Sequence, residues 1–441
     1  MNLYQSWGRY PRAEHSVKRI GWLSDDILPA TDLPLLAYGQ GRSYGDCCLN
    51  DKGMLLDTAA LNRLIAFDEE QGLLRCEAGV TLEDILHFAV PKGWFLSVTP
   101  GTKYVSIGGA IANDVHGKNH HRAGTFGCHV KRFELLRSNS ERLVCSLDEN
   151  KELFIATIGG LGLTGLILWA EIQLRKVAGP YIDMESIKFS NLEEFFEISG
   201  DSDQGFDYTV AWLDCVAKGE GFGRGIFMRG NHSEKVVQKQ RGNLLGGLLT
   251  VPIDAPAFAL NNLTVRAFNT VYYNKQRQKE VRSTVDYNPF FYPLDAVSNW
   301  NRIYGSRGFM QFQCVVPSGG DNQPIRTILK AIVDSGRASF LAVLKEFGDA
   351  KSPGLMSFPN KGVTLCLDFP NQGEATFKLF KLLEDVTRES GGRMYPAKDA
   401  CMSRESFNAF YPHWRQFKEY QDPAFSSSFW RRVTGEGGKD E

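Results

Sequence analysis

Two apolar runs flank a polar Glu-Gln-Gly turn over residues 64–79, a pattern that predicts a β-hairpin. Thr81 with Asp84 three positions on predicts a capping box opening a helix, which Pro91 and Gly93 close. A second hairpin is expected over 133–146, with Ser138 and Asn139 at its turn. Residues 148–158 read as a helix stopped at Gly159, and 166–174 as a strand. The order of these short elements is α+β, and 176–180 makes a natural boundary. From about 181 to 392 aromatics and long mixed strands become frequent, including 309–316 and 363–369. Helical periods at 327–333 and 374–388 intervene, so an antiparallel sheet backed by helices is expected there.

One stretch breaks these patterns. Residues 244–260, LLGGLLTVPIDAPAFAL, are apolar, interrupted by Pro and Gly, with a single charge at Asp254. They read either as a buried loop and strand or as a flap that offers apolar surface to a lipid or a membrane face.

Three glycine-rich loops carry the candidate chemistry. They are YGQGRSYGD (38–46), PGTKYVSIGGAIANDVHGKNHHRAGTFG (100–127) and GGLGLTG (159–165). Glycines let main-chain amides approach phosphates, and successive exposed N–H groups form anion-binding concavities. Three such loops within about 130 residues imply one large phosphate-bearing cofactor, read as FAD. The third loop holds a formal GxGxxG, but a helix precedes it and a strand follows. A dinucleotide fingerprint needs the reverse, so a Rossmann reading is rejected.

Bulk numbers narrow the class. A chain of 441 residues accommodates two domains, and 43% apolar with 23% charged residues fits an ordinary globular enzyme. Its net charge of −1 gives no field for nucleic acid. Nine cysteines without CxxC spacing suggest neither a zinc site nor a disulfide framework. The first 16 residues lack an apolar signal region, and no run of about 18 apolar residues occurs. A reduced, cytoplasmic enzyme is expected. The three histidines at 116, 120 and 121 have no acidic or cysteine partner at ligand spacing, so no metal is expected.

These loops, taken with HGKNHH, resemble the FAD-binding half of the vanillyl-alcohol-oxidase superfamily, and within it the decaprenylphosphoryl-ribose oxidase family. The resemblance continues through SWGR (6–9), AWLD (211–214), YPLD (292–295), WNRIYG (300–305), FMQFQCVVP (309–317), CLDFP (366–370) and YPAKD (395–399). It implies a two-domain PCMH-type FAD-binding fold with an antiparallel-sheet substrate domain. The FAD-binding domain would span 1–178, the substrate cap 179–392, and a segment 393–441 would return to the FAD domain. FAD contacts would come from Gly39, Gly41, Arg42, Ser43, Tyr44 and Gly45 in the first loop. The second would supply Pro100, Gly101, Thr102, Gly108, Gly109, Asn113, His116, Gly117, Asn119 and Gly124, and the third Gly165. Tyr44 stands where covalent members carry the flavin-linking histidine, so the FAD would be non-covalent.

The resemblance also implies an oxidation at C2 of a polyprenyl-phosphate-linked pentose, completed as an epimerisation by a separate NAD(P)-dependent keto-reductase. Lys398, His116, Tyr395 and Gln313 would be catalytic, with His116, Lys398 or a water as the base. Lys118, Gln311, Gln313, Lys345, Thr364, Cys366, Phe291 and Trp212 would face the substrate. Gln311 and Gln313 flank Phe312, so in a strand both amides share one face. Cys366 reads as a core thiol from its apolar strand, but the resemblance turns it toward the flavin. Thr364 and Phe291 replace asparagine and tyrosine of the best-known members, which leaves the sugar and lipid open. Rival readings are an aldonolactone or alditol oxidase of the same fold, and a non-catalytic flavin-binding sensor or assembly subunit.

Overall fold

A computed structural model describes residues 4–24, 27–234, 249–256 and 260–436. The flavin-side half starts with strands β1 (Ser16–Arg19), β2 (Leu35–Tyr38) and β3 (Met54–Asp57), which form a parallel sheet in the order β1-β3-β2. The first predicted hairpin is β4 (Leu64–Asp68) with β5 (Leu73–Glu77). Helix α1 (Leu82–Ala89) opens on the full capping box, with the Thr81 side chain accepting from the Asp84 amide. Strand β6 (Trp94–Leu96) and the short helices α2 (Ile107–Ala112) and α3 (His120–Ala123) follow. Strands β7 (Val130–Leu136) and β8 (Arg142–Ser146) make the second hairpin. Helix α4 (Lys151–Thr157) starts later than its apolar pattern because Asn150 takes a left-handed conformation (φ 48°). The long strand β9 (Leu166–Lys176) then organises the antiparallel sheet β4-β5-β9-β7-β8, with β6 also on β9.

The cap is one sheet of eight antiparallel strands in the order β14-β10-β12-β11-β17-β18-β16-β19. In chain order these are β10 (Tyr181–Phe189), β11 (Tyr208–Leu213), β12 (Gly225–His232), β14 (Glu280–Asp286), β16 (Phe309–Val316), β17 (Ala342–Phe347), β18 (Gly362–Pro370) and β19 (Arg393–Met394). The two-residue strands β13 (Leu249–Thr250) and β15 (Val297–Ser298) pair apart from this sheet. Helices α5 (Leu192–Ser202), α6 (Asn262–Lys275), α7 (Tyr287–Phe291), α8 (Gln323–Asp334) and α9 (Glu374–Glu389) complete the cap. Helix α8 buries Ile325, Ile328, Leu329 and Ile332 at i, i+3, i+4, i+7, each contributing roughly 1.5–3 kcal/mol.

The segment from 393 first adds β19 to the cap sheet. It then crosses, and Leu35 on β2 bonds the backbone of Ala424 and Ser426. Helices α10 (Arg404–Phe410), α11 (Trp414–Phe417) and α12 (Ser428–Thr434) close the chain, and Trp430 is wholly buried. In the apolar stretch, residues 244–248 and 257–259 lie outside the described residues. Its described part is no buried strand, since Leu249 and Ile253 are 63% and 71% exposed. Asp254 there accepts from Arg9 and Arg302. Among the described residues no helix is long and apolar enough to cross a membrane.

Candidate active site

Register across the cap sheet lines up side chains from four neighbouring strands. Trp212 on β11 opposes Val343 on β17, Val343 opposes Cys366 on β18, and Cys366 opposes Gln313 on β16. The Tyr395 amide donates to the Gln313 carbonyl at 3.0 Å, which continues the line beyond β19. Opposed residues of antiparallel strands project from one face, and all five of these line a single cavity of about 520 Å³. Two positions along, Lys345 opposes Thr364 and Gln311 opposes Asp368. Lys345, Thr364 and Gln311 line the same cavity, while Phe312 points into the core.

The facing wall is mostly main chain. The N–H groups of Gln40, Gly41, Arg42 and Ser43 donate to no backbone acceptor among the described residues. Gly41 is left-handed (φ 59°), and a Cβ there would lie 2.1 Å from the Tyr38 hydroxyl, so only glycine fits. The Arg42 guanidinium stacks 4.1 Å from the Trp7 ring, with its Nε buried and unpartnered. Four successive free amides beside a partly buried guanidinium make an anion cradle that fits a pyrophosphate. Pro100, Gly101, Thr102, Gly108, Gly109, Asn113, Gly117 and Gly165 extend this wall.

Positive charge concentrates where the two walls meet. Lys118, Lys345 and Lys398 are half-buried and line the cavity. Among the described residues no carboxylate lies within ion-pair distance of any of them. Lys118 donates to the Phe290 carbonyl and Lys345 to that of Gly117 at 3.4 Å. Lys398 Nζ sits 3.7 Å over the Tyr44 ring. Burial, then the Lys345 charge, takes Lys118 down to about 7. Burial takes Lys345 down to about 8 and also lowers Lys398. The turn Pro396–Lys398 is pinned: Ala397 accepts from the Tyr44 amide at 2.9 Å. Arg432 bridges Asp46 and Asp399 at 2.7 and 2.9 Å.

His116 is buried, and the Gln313 amide meets its Nε2 at 3.0 Å. That contact places the ring proton on Nδ1 and engages the lone pair a base would use. Burial, and then Lys345, hold the ring well below its ordinary pKa, so it is neutral. The Tyr395 hydroxyl donates to the Asn113 carbonyl at 2.9 Å, and its ring stacks on Phe358. This tyrosine therefore braces α2 against the cap. Cys366 is partly exposed to the cavity, and burial pushes its thiol up to about 12, so it is a neutral wall group. Phe291, Tyr44 and Trp212 also face the cavity.

Three residues expected at the cofactor do not line the cavity. Gly45 is glycine because a Cβ would lie 1.6 Å from the Asp399 carbonyl, so its role is close approach to the Lys398 turn. Asn119 is buried, and its side chain donates to the Ser97 carbonyl at 2.8 Å, tying down the loop base. Gly124 ends α3 in a left-handed conformation. The neighbouring histidines diverge: His120 packs on the Phe347 ring, and His121 bonds the Phe206 carbonyl.

Sequence reasoning missed several wall residues. Val343 lies two positions from Lys345, so strand periodicity carried a signal for it. Phe268 and Tyr272 of α6 reach the cavity one helical turn apart. Asp114 had no signal. It bonds the Gly127 amide, Ser352 and Ser357, joining the second glycine loop to the segment before β18.

Comparison with known proteins agrees with this geometry. An FAD binding domain family matches residues 26–146. Decaprenylphosphoryl-beta-D-ribose oxidase of Mycolicibacterium smegmatis is 37% identical, over 90% of this chain and 89% of its own. An uncharacterized protein of Streptomyces coelicolor is 31% identical over 80% of this chain and its whole length. L-gulonolactone oxidase of Mus musculus is 31% identical over 39% of each chain. The chain belongs to the decaprenylphosphoryl-β-D-ribose oxidase family, and it is an FAD-dependent oxidoreductase.

Proposed function

We propose that the protein oxidises the C2 hydroxyl of a polyprenyl-phosphate-linked pentose to a ketone, the first half of a 2′-epimerisation. The observation that carries this reading is the trio of Lys118, Lys345 and Lys398 around one cavity, none with a carboxylate within ion-pair distance among the described residues. Half-buried ammonium groups without counter-ions are costly, and an anionic ligand relieves that cost. A phosphodiester supplies it; a neutral lactone or alditol does not.

Each residue then has a stated job. The amides of residues 40–43 and Arg42 would hold the FAD pyrophosphate, non-covalently, because Tyr44 offers no linking imidazole. Bound FAD supplies the acceptor for the hydride leaving C2. Lys118 and Lys345 take the phosphate. Lys398, whose burial lets it pass between ammonium and amine, accepts the hydroxyl proton at Nζ and so presents a positive charge while the hydride leaves. Gln313 orients the neutral His116 ring, and Trp212, Val343 and Cys366 exclude water from that face.

The lipid part of the reading is supported by α6. Phe268 and Tyr272 line the cavity, while Leu263 and Val271 on the adjoining face are 77% and 69% exposed. With Leu249 and Ile253 they offer an apolar path from the cavity to a peripheral membrane contact on the cytoplasmic side. The 2-keto product calls for a separate NAD(P)-dependent keto-reductase. The test is product analysis: turnover of polyprenyl-phosphoryl ribose followed by borodeuteride quenching places deuterium at C2. Deuterium at another carbon, or none, refutes the reading.

A further inference from the structure

A second cavity, of about 260 Å³, lies behind the active-site wall. Gln311 lines the first cavity and Asp368 the second, and Gln311 Nε2 donates to Asp368 Oδ1. Phe340 lines both cavities, and the Gln311–Asp368 contact links their walls. That contact follows from register, since Gln311 and Asp368 are opposed on β16 and β18, two positions from the Gln313–Cys366 pair.

Asp368 is wholly buried, and among the described residues it has no ion pair. Its Oδ2, the Gln311 Oε1 and the Tyr304 hydroxyl are all buried without partners. Three such atoms around one contact are costly unless water reaches them. The second cavity has room for several waters at about 30 Å³ each. It runs from Asp368, Tyr304 and Ser339 to a rim carrying the exposed Ser335, Gly336 and Gln372.

We propose that Asp368 is the final acceptor of the proton released in the oxidation, and that the second cavity is its route of exchange with solvent. The proposal rests on the hydroxyl-oxidation reading above. The C–H bond breaks, and its hydrogen and electron pair go to FAD. The O–H bond breaks, its electron pair becomes the second C–O bond, and the proton passes by way of Lys398 to the Asp368 carboxylate. The neutral carboxyl then loses that proton through the second cavity.

The groups facing Asp368 suit this role. Lys398, from the Pro396–Lys398 turn, favours the carboxylate. Tyr44 from the first glycine loop, Tyr304 from the Trp300–Tyr304 turn and Cys366 on its own strand are all held neutral by burial. Burial pushes Asp368 up to about 7, so both of its forms are accessible near neutrality.

The test is a spectroelectrochemical titration of the FAD-loaded protein from pH 5.5 to 8.5 without substrate. The native protein is expected to show a change of slope near pH 7 in midpoint potential against pH. Asp368→Asn is expected to lose it at full FAD content, and Asp368→Glu to keep one. In stopped flow, Asp368→Asn is expected to reduce its flavin roughly 100-fold more slowly with substrate. A native protein with no slope change, or an Asn variant that retains both slope change and rate, overturns the proposal. If the Asn variant does not retain FAD, a flavin-loaded Glu variant without the slope change overturns it too. Because the titration uses no substrate, its outcome is separate from the identity of the pentose.

Discussion

The two walls of the cavity are built from different parts of the chain. On the flavin side, the wall is built by main chain: four free amides follow β2, and glycines stand where a Cβ would collide. On the cap side it is built by side chains: a line from Trp212 to Tyr395 runs across neighbouring strands, with lysines at its margins. Main-chain recognition is generic, because any pyrophosphate satisfies it. Side-chain recognition is specific, because it depends on which residue each strand presents. Variants on the two sides should therefore fail in different ways.

The largest contrast is at Gly41. Gly41→Val combines strain at φ 59° with a clash at Tyr38, and the protein should purify colourless. Lys398→Ala should stay yellow, yet lose a factor of about 10² to 10³ in flavin reduction, roughly 3–4 kcal/mol. If Lys398→Ala loses its FAD instead, the division between the walls fails. Lys118→Gln and Lys345→Gln should each raise KM for the phosphodiester substrate about tenfold or more, with kcat changed less, since each removes a charge-assisted hydrogen bond.

A pH profile sharpens the same point. Lys118 and Lys345 lie near 7 and 8 in the free protein, so their cationic forms dominate below those values. Raising pH from 6 to 9 discharges them, and KM should climb several-fold through that window. Lys118→Gln should flatten the lower part of the climb, read from initial rates at each pH. The smallest effect is expected at Cys366. Cys366→Ser swaps one neutral wall group for another of similar size, and turnover should stay within about threefold.

How much of this could be read in the sequence differs between the walls for the same reason. Main-chain binding needs glycine at fixed spacings, so the loop at 38–46 announced itself. Even there, spacing did not separate Gly41, at the ligand wall, from Gly45, which admits the Asp399 carbonyl. On the cap side the alternation of Gln311, Phe312 and Gln313 predicted a shared face, but nothing local identified Val343 or Trp212 as neighbours of Cys366. That adjacency is set by strand order, which pairs β17 between β11 and β18 across more than 100 residues of chain. A helix start was legible at Thr81, where a side chain makes the cap, and not at Asn150, where backbone conformation decides.

The central claim is that the cap wall selects a phosphate-linked pentose. Anaerobic stopped-flow mixing of the FAD-loaded protein with polyprenyl-phosphoryl ribose, and separately with soluble aldonolactones, tests it most directly. The flavin absorbance should bleach within a single turnover with the lipid-linked sugar and stay unchanged with the lactones. Bleaching by a lactone but not by the phosphoryl pentose would contradict the account.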